Sequence, residues 1–121
     1  MELDEYQKKA MTTCMPSSEN ACYMLFGLTE EVGELCGKVS KAIRKEWVSV
    51  ENNHIQRIIG DSRTIDEFRE QIKAEAGDVL WMLAGLCQQF GWSLEEVAQY
   101  NLDKLASRQK RGVIIGNGDN R

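Results

Sequence analysis

The segment GLTEEVGELCGKVSKAIRK, residues 27–45, carries apolar side chains at the spacing of an amphipathic helix. The stripe consists of Leu28, Val32, Leu35, Val39 and Ala42 or Ile43. On a helical wheel of about 100° per residue, Glu31 and Glu34 flank this stripe, whereas Glu30 points nearly away from it. The pattern therefore predicts a helix with two carboxylates at the edge of its buried side.

The segment KAEAGDVLWML, residues 73–83, repeats this arrangement, with Glu75 and Asp78 on one wing of a second apolar stripe. That stripe consists of Ala76, Val79, Leu83, Leu86 and Phe90. If the two helices face each other, the two acidic pairs form a nest of four carboxylates. Like charges beside a core repel, so such a nest shifts its pKa values or needs a cation. Oxygen ligands alone favour Mg²⁺, with Mn²⁺ as an alternative.

The acidic pairs have two other possible interpretations. A single such pair is usually part of a solvated face, because most carboxylates are exposed, but two matched pairs weaken that interpretation. A di-iron carboxylate bundle needs Glu-x-x-His on two helices. The only histidine, His54, lies between the helices and is interpreted as a surface residue, so a di-iron site is excluded.

The N-terminal half of the chain predicts two helices. The first spans Leu3 to Met11 and ends before Pro16, the only proline. The second is capped by Ser17 or Ser18 and runs to about Lys45.

The C-terminal half predicts two more helices, opened by the capping-box sequences TIDE (residues 64–67) and SLEE (residues 93–96). They end near Phe90 and near Arg111. Residues 46–63 lose the periodicity and form a long connector. The predicted fold is all-α: a four-helix bundle-like subunit in a single domain, residues 1–121, with a short N-terminal helix within 1–16 and a glycine-rich tail at 112–121.

The composition of the chain limits the classes of function that it can have. The 121 residues are 42% hydrophobic, which suffices for one core, and the net charge of −4 argues against nucleic acid or anionic membranes as partners. Four cysteines without a CxxC pair indicate reduced thiols. Since the sequence shows neither a signal-peptide pattern nor a long apolar run, we expect a cytoplasmic protein.

The fourth helix carries a possible anion-binding face. Asn101, Lys104 and Arg108 fall on one side of it, beside Leu94 and Val97. Polar groups next to a core need a partner, and phosphate suits these side chains.

The motifs EEVGE (residues 30–34) and EAGD (residues 75–78) resemble the EExxE and ExxD signature of the MazG-like nucleotide pyrophosphohydrolases, in the all-α NTP pyrophosphatase superfamily. The surrounding sequence is also similar, and the likeness covers most of residues 20–112. The chain departs from compact members in the 40 residues between Glu34 and Glu75.

The resemblance implies hydrolysis of a nucleoside triphosphate between the α and β phosphates, giving a monophosphate and pyrophosphate. It implies Mg²⁺ ligation by the two acidic pairs, phosphate contacts from Asn101 and Lys104, and a homodimer or homotetramer. Glu30 and Glu34 are the candidate catalytic residues, since Glu30 can orient a ligand or take a proton from water. The metal ligands implied are Glu31, Glu34, Glu75 and Asp78.

Further substrate contacts are expected from Lys38, Arg108, Trp47 and Met82. Lys38 reaches phosphate or pairs with Glu34. Trp47, or Tyr6 from the first helix, stacks on a base or belongs to the core. Met82 lies one turn beyond Asp78. The base preference is left open.

The sequence also allows two alternative functions. One is a phosphoribosyl-ATP pyrophosphohydrolase-like enzyme, and the other is a non-catalytic helical regulator that binds a nucleotide or a protein. The four intact acidic residues argue against the second.

Trp81 points nearly opposite the apolar stripe of its helix, beside Gly77 and Gly85. A helix that is apolar on two sides is buried on two sides, so a second subunit is expected against Trp81. The alternative is that Ile58 and Ile59 of the connector cover it.

Overall fold

The computed structural model describes residues 1–57 and 65–121, and these ranges form four α-helices and one two-stranded antiparallel sheet. The elements in chain order are α1 (Leu3–Met11), α2 (Ala21–Arg44), β1 (Val48–Glu51), β2 (His54–Arg57), α3 (Ile65–Gln89) and α4 (Leu94–Lys110). The four predicted helices are confirmed, whereas the two-stranded sheet departs from the predicted all-α fold. Among the described residues, no helix is long and apolar enough to cross a membrane.

Helix α2 begins after Asn20, whose side chain accepts a hydrogen bond from the Tyr23 N–H at 2.8 Å. The predicted cap at Ser17 or Ser18 is wrong, because both serines lie in a short 3₁₀ helix that starts at Pro16. Asn caps a helix as well as Ser does, so the sequence offered several equivalent candidates.

Helix α4 begins with the predicted capping box. The Ser93 hydroxyl accepts a hydrogen bond from the Glu96 N–H, and the Glu96 carboxylate accepts one from the Ser93 N–H, both at 3.0 Å. Thr64 of the other predicted box lies outside the described residues.

Helices α2 and α3 pack antiparallel through two reciprocal contacts in which a methionine lies on a glycine. Met82 lies on Gly27, and Met24 lies on Gly85. A Cβ atom on either glycine would come within 2.6 Å of the methionine methyl group. Met24 is 0% exposed and Met82 is 6% exposed. The missing glycine side chains thus allow close approach of the helices and fix their register.

This contact rotates α2 relative to the predicted apolar stripe. Val32, expected near the centre of the stripe, is 42% exposed, whereas Met24 and Gly27 are buried. Phe90, the last stripe residue predicted on α3, is 50% exposed and stacks on Trp92. The helical wheel misses the rotation because a glycine adds nothing to an apolar stripe, although it admits a large side chain from the neighbouring helix.

The predicted irregular connector contains a β-hairpin. Val48 pairs with Arg57 and Glu51 pairs with His54 across a turn at Asn52 and Asn53, which have φ values of 50° and 62°. Asparagine tolerates positive φ, and two such residues make the turn that suits a two-residue hairpin. The alternation of apolar and polar residues in VSVE was the available signal. The hairpin is anchored by Val48, which is buried with Ala42 and Phe68.

Helix α1 connects α3 to α4 through a buried glutamine. Gln7 is 6% exposed, and its side chain donates to the Trp92 carbonyl at 3.0 Å and accepts from the Leu94 N–H at 2.7 Å. Leu94 is buried there with Ala84 and Cys87. One glutamine therefore fixes the turn between α3 and α4.

Trp81 packs within its own chain. Its indole N–H donates to the Thr13 hydroxyl at 2.9 Å and to the Ala10 carbonyl at 3.2 Å, at the C-terminal end of α1. The indole thus lies against α1, where a second subunit was predicted, and Gly85 faces α2 instead. Ile58 and Ile59, the alternative cover, lie outside the described residues.

The packing predicts that Met24→Ala lowers the free energy of unfolding by about 2–4 kcal/mol, because it opens a cavity opposite Gly85. Urea denaturation followed by circular dichroism measures this loss. Met15→Ala is the matched control, since Met15 is 67% exposed and its truncation should change stability by less than about 0.5 kcal/mol. Equal effects of the two substitutions would contradict the proposed role of the contact.

Candidate metal centre

Three carboxylates converge between α2 and α3. One oxygen from each of Glu31, Glu34 and Glu75 lies within 4.8 Å of the others. Glu31 and Glu75 are partly buried, and Glu34 is exposed. Most of the predicted acidic nest is therefore brought together.

The helix register explains this convergence. Glu31 and Glu34 follow Gly27 by one and two turns of α2, and Asp78 and Glu75 precede Met82 by the same steps along α3. Because Met82 lies on Gly27, the two acidic pairs face each other in the antiparallel arrangement. The two helices that pack closely at the glycines therefore also bring their carboxylates together.

Lys38 supplies a positive charge to this site. Its ammonium group lies 3.1 Å from the Glu75 carboxylate, whose side chain is only 12% exposed. This ion pair joins α2 to α3, whereas the sequence suggested that Lys38 pairs with Glu34 on its own helix. Lys38 thus neutralises one of three converging carboxylates.

The pKa of Glu31 is raised above its ordinary value. Burial is the largest cause, followed by the negative charge of Asp78 and then by Glu34, Glu30 and Glu75. Desolvation and like charges both disfavour the ionised carboxylate. The site therefore holds negative charge at an electrostatic cost, which a cation would reduce.

Asp78 and Glu30 are exposed and lie outside the group of three converging carboxylates. Asp78 nevertheless acts on its surroundings, since its charge contributes to the raised pKa values of Glu31 and Tyr6. For Tyr6, burial is the larger cause. Tyr6 belongs to α1, so α1 borders the acidic site on the Asp78 side.

Two residues predicted to contact the substrate, Trp47 and Met82, take part in packing. Trp47 lies against the cluster that contains Phe68, and the Lys45 ammonium lies 5.0 Å from the centre of its ring. Met82 fills the space over Gly27. Both contacts favour the core interpretation, and their substrate roles stay predictions.

The predicted cationic residues of α4 meet a carboxylate of the tail. Asn101 is exposed, whereas the side chain of Arg108 is 6% exposed and donates to the Asp119 carboxylate at 3.1 Å. The Lys104 ammonium lies 3.7 Å from the same oxygen. Asp119 was not identified from the sequence, because an irregular tail has no periodicity that relates it to a helix face.

The donor set fits a hard divalent cation. Carboxylate oxygens are the ligands that Mg²⁺ and Mn²⁺ prefer, whereas a structural zinc site uses His or Cys. Burial and mutual repulsion raise the pKa of Glu31. Among the described residues, Lys38 brings one positive charge to the three carboxylates, and it pairs with Glu75. The residues present therefore suit Mg²⁺ or Mn²⁺.

Comparisons with known proteins agree with this chemistry. The family profile described as the MazG nucleotide pyrophosphohydrolase domain matches residues 20–113, which include the acidic groups of both helices. The chain is 38% identical to the Gene 37 protein of Mycobacterium phage L5 over 128 residues, covering 100% of each protein. No solved structure matches the chain.

The raised pKa predicts a pH-dependent effect of Glu31→Gln in metal-free protein. A carboxyl whose folded-state pKa is raised stabilises the fold fully below its unfolded pKa, and this contribution is lost as the pH rises through the folded-state value. The variant should therefore be more stable than the wild type at pH 7, and the difference should vanish below about pH 4. Thermal unfolding in EDTA at both pH values measures the difference.

Glu70→Gln is the control, because Glu70 is exposed on α3 and pairs with Lys73 away from the cluster. A gain for Glu31→Gln that is equal at both pH values would contradict the electrostatic explanation.

Proposed function

This chain belongs to the MazG family of nucleotide pyrophosphohydrolases, and from that premise we propose that it hydrolyses a nucleoside or deoxynucleoside triphosphate between the α and β phosphates. The products are the monophosphate and pyrophosphate. The role is control of the nucleotide pool, and the expected location is the cytoplasm.

The convergence of Glu31, Glu34 and Glu75 is the observation that carries this proposal. A triphosphate brings about four negative charges and cannot approach bare carboxylates without intervening cations. An acidic cluster inside a family of nucleotide hydrolases is thus best explained as a metal site.

Glu31, Glu34, Glu75 and Asp78 would hold Mg²⁺, with Mn²⁺ as an alternative. When bound, the ion supplies positive charge for the triphosphate and for the leaving pyrophosphate, and it makes water a better nucleophile near neutral pH. Asp78 lies outside the group of three converging carboxylates, so its proposed role requires its side chain to turn toward them.

The remaining steps belong to groups of the chain itself. Glu30 or Glu34, both exposed to solvent, takes the proton of the attacking water. Lys38, whose ammonium group lies 3.1 Å from the Glu75 carboxylate, would donate a hydrogen bond to a phosphate oxygen of the substrate. Asn101, Lys104 and Arg108 contact the phosphates, because amide, ammonium and guanidinium groups all donate hydrogen bonds to them.

We also propose assembly into a homodimer or homotetramer. The support is a set of exposed apolar side chains on α2 and α4, which a lone subunit leaves in water. The most exposed of these are Phe26 at 76%, Tyr100 at 73% and Leu102 at 59%.

Substitution of the acidic residues tests the metal site. Glu31→Gln, Glu34→Gln, Glu75→Gln and Asp78→Asn should each lower turnover by at least about 100-fold, because each removes a charge that the transition state needs. Circular dichroism should show that all four variants fold. Glu70→Gln is the control and should keep wild-type turnover. The assignment is wrong if two of the four variants retain the wild-type rate on every nucleotide tested.

Product analysis tests the reaction type. A panel of nucleoside triphosphates with Mg²⁺ should yield pyrophosphate and a monophosphate, which separates this activity from that of a phosphatase. The products are resolved by ion-exchange chromatography without added pyrophosphatase. Orthophosphate appearing first would rule the proposed reaction out.

Sedimentation velocity at micromolar concentration tests assembly. The wild type should sediment as a dimer or tetramer, and Phe26→Asp should shift it toward monomer by placing a charge in the apolar interface. A monomeric wild type would contradict the proposal.

A further inference from the structure

The C-terminal half of α4 and the tail form a basic cluster that consists of Lys104, Arg108, Arg111 and Arg121. The Arg108 guanidinium donates through Nη2 to the Asp119 carboxylate at 3.1 Å and to the Asp119 carbonyl at 3.2 Å. The tail is held by further arginine contacts, since Arg111 donates to the Arg121 backbone oxygen at 2.7 Å. The tail therefore folds back onto α4 and places the Asp119 carboxylate beside the cations.

Arg108 retains an unused donor in this arrangement. Its side chain is 6% exposed, and its buried Nε atom has no hydrogen-bond partner among the described residues. A buried donor without a partner is costly, so this guanidinium is incompletely satisfied by Asp119. It can accommodate a ligand with more acceptor oxygens than one carboxylate offers.

Asp119 itself is a weakly held partner. Its side chain is 86% exposed, and its distance of 3.7 Å from Lys104 is long for a direct hydrogen bond. Because the Asp119 side chain is exposed, solvent screens its charge and competes for its oxygens. The hydrogen bond from Arg108, followed by the charge of Lys104, keeps the pKa of Asp119 below its ordinary value, so the carboxylate is ionised at neutral pH. The tail thus offers the two cations an anion that is easily displaced.

We propose that Lys104 and Arg108 form a phosphate-binding site, and that the Asp119 carboxylate occupies it as an internal competitor. A phosphate group carries more charge and more acceptor oxygens than a carboxylate, and the guanidinium binds either in the same geometry. The part of the inference that concerns substrate rests on the proposed function, since the phosphate would then be that of the nucleotide or of the pyrophosphate product.

The proposed competition predicts how much the affinity for phosphate changes when the Asp119 charge is removed. If the site is free only in the fraction of molecules whose tail is open, the apparent dissociation constant is the intrinsic one divided by that fraction. Removing the Asp119 charge opens the site and should tighten phosphate binding by about three- to fivefold, the scale of an ion pair that solvent screens on one side.

Isothermal titration with inorganic pyrophosphate in EDTA tests the proposal. Without divalent metal, the acidic cluster repels pyrophosphate, so binding reports on the basic cluster. Asp119→Asn should bind about three- to fivefold more tightly than the wild type, and Lys104→Met should bind more weakly. Asp103→Asn is the matched control: it changes the net charge equally, next to Lys104 on the same helix, but Asp103 accepts a hydrogen bond from Gln99 instead.

The outcomes are separable. Equal affinities of Asp119→Asn and Asp103→Asn would overturn the competition, and absence of pyrophosphate binding in every variant would overturn the phosphate site. Neither result depends on hydrolysis, so a failure of the proposed reaction leaves this test intact. If the reaction holds, Asp119→Asn should also lower KM for the nucleotide about three- to fivefold, and an unchanged KM would show that the site does not serve the substrate.

Discussion

The close contact of α2 with α3 is the constraint on which the acidic site depends. Two methionines pack on two glycines, and this reciprocal contact allows only one register between the helices. From that register, the positions of the carboxylates follow by counting turns. A slip of one residue would turn Glu31 and Glu75 by about 100° around their helices and separate them. The apolar contact therefore fixes charges that would otherwise move apart.

The crowding of carboxylates both destabilises the folded chain and makes the site suitable for a cation. Glu31 is partly desolvated and is surrounded by four other carboxyl groups whose charges raise its pKa. Packing at both ends of the acidic site, by Met82 over Gly27 and by the cluster of Ala42, Val48 and Phe68, holds these groups in place despite their repulsion. This repulsion makes the interface less stable than a neutral one would be, and the proposed cation would offset it. Such trade-offs are common at functional sites.

The sequence predicted what periodicity and caps encode. All four helices, the capping box at Ser93 and the position of an acidic pair beside each apolar stripe could be derived from spacing alone. That the two pairs face each other was an assumption of the metal-site hypothesis, because spacing within a helix does not fix how two helices pack. The exposure of Val32 could not be predicted, because a helical wheel does not show that a glycine receives a methionine from another helix. The hairpin had a local signal in its turn residues, Asn52 and Asn53. Asparagine is common in all loops, however, so the segment was predicted to be an irregular connector. The Asp119 contact depends on how an irregular tail folds back, which no local pattern encodes.

The binding of Mn²⁺ to metal-free protein, followed by electron paramagnetic resonance of the free ion, tests the central claim most directly. The claim is that packing of α2 on α3 assembles one cation site from both helices. The wild type should bind Mn²⁺ saturably, Glu34→Gln on α2 and Glu75→Gln on α3 should each weaken binding at least about tenfold, and Glu70→Gln should not. Saturable binding that survives Glu75→Gln unchanged would show that the two helices do not share a metal site.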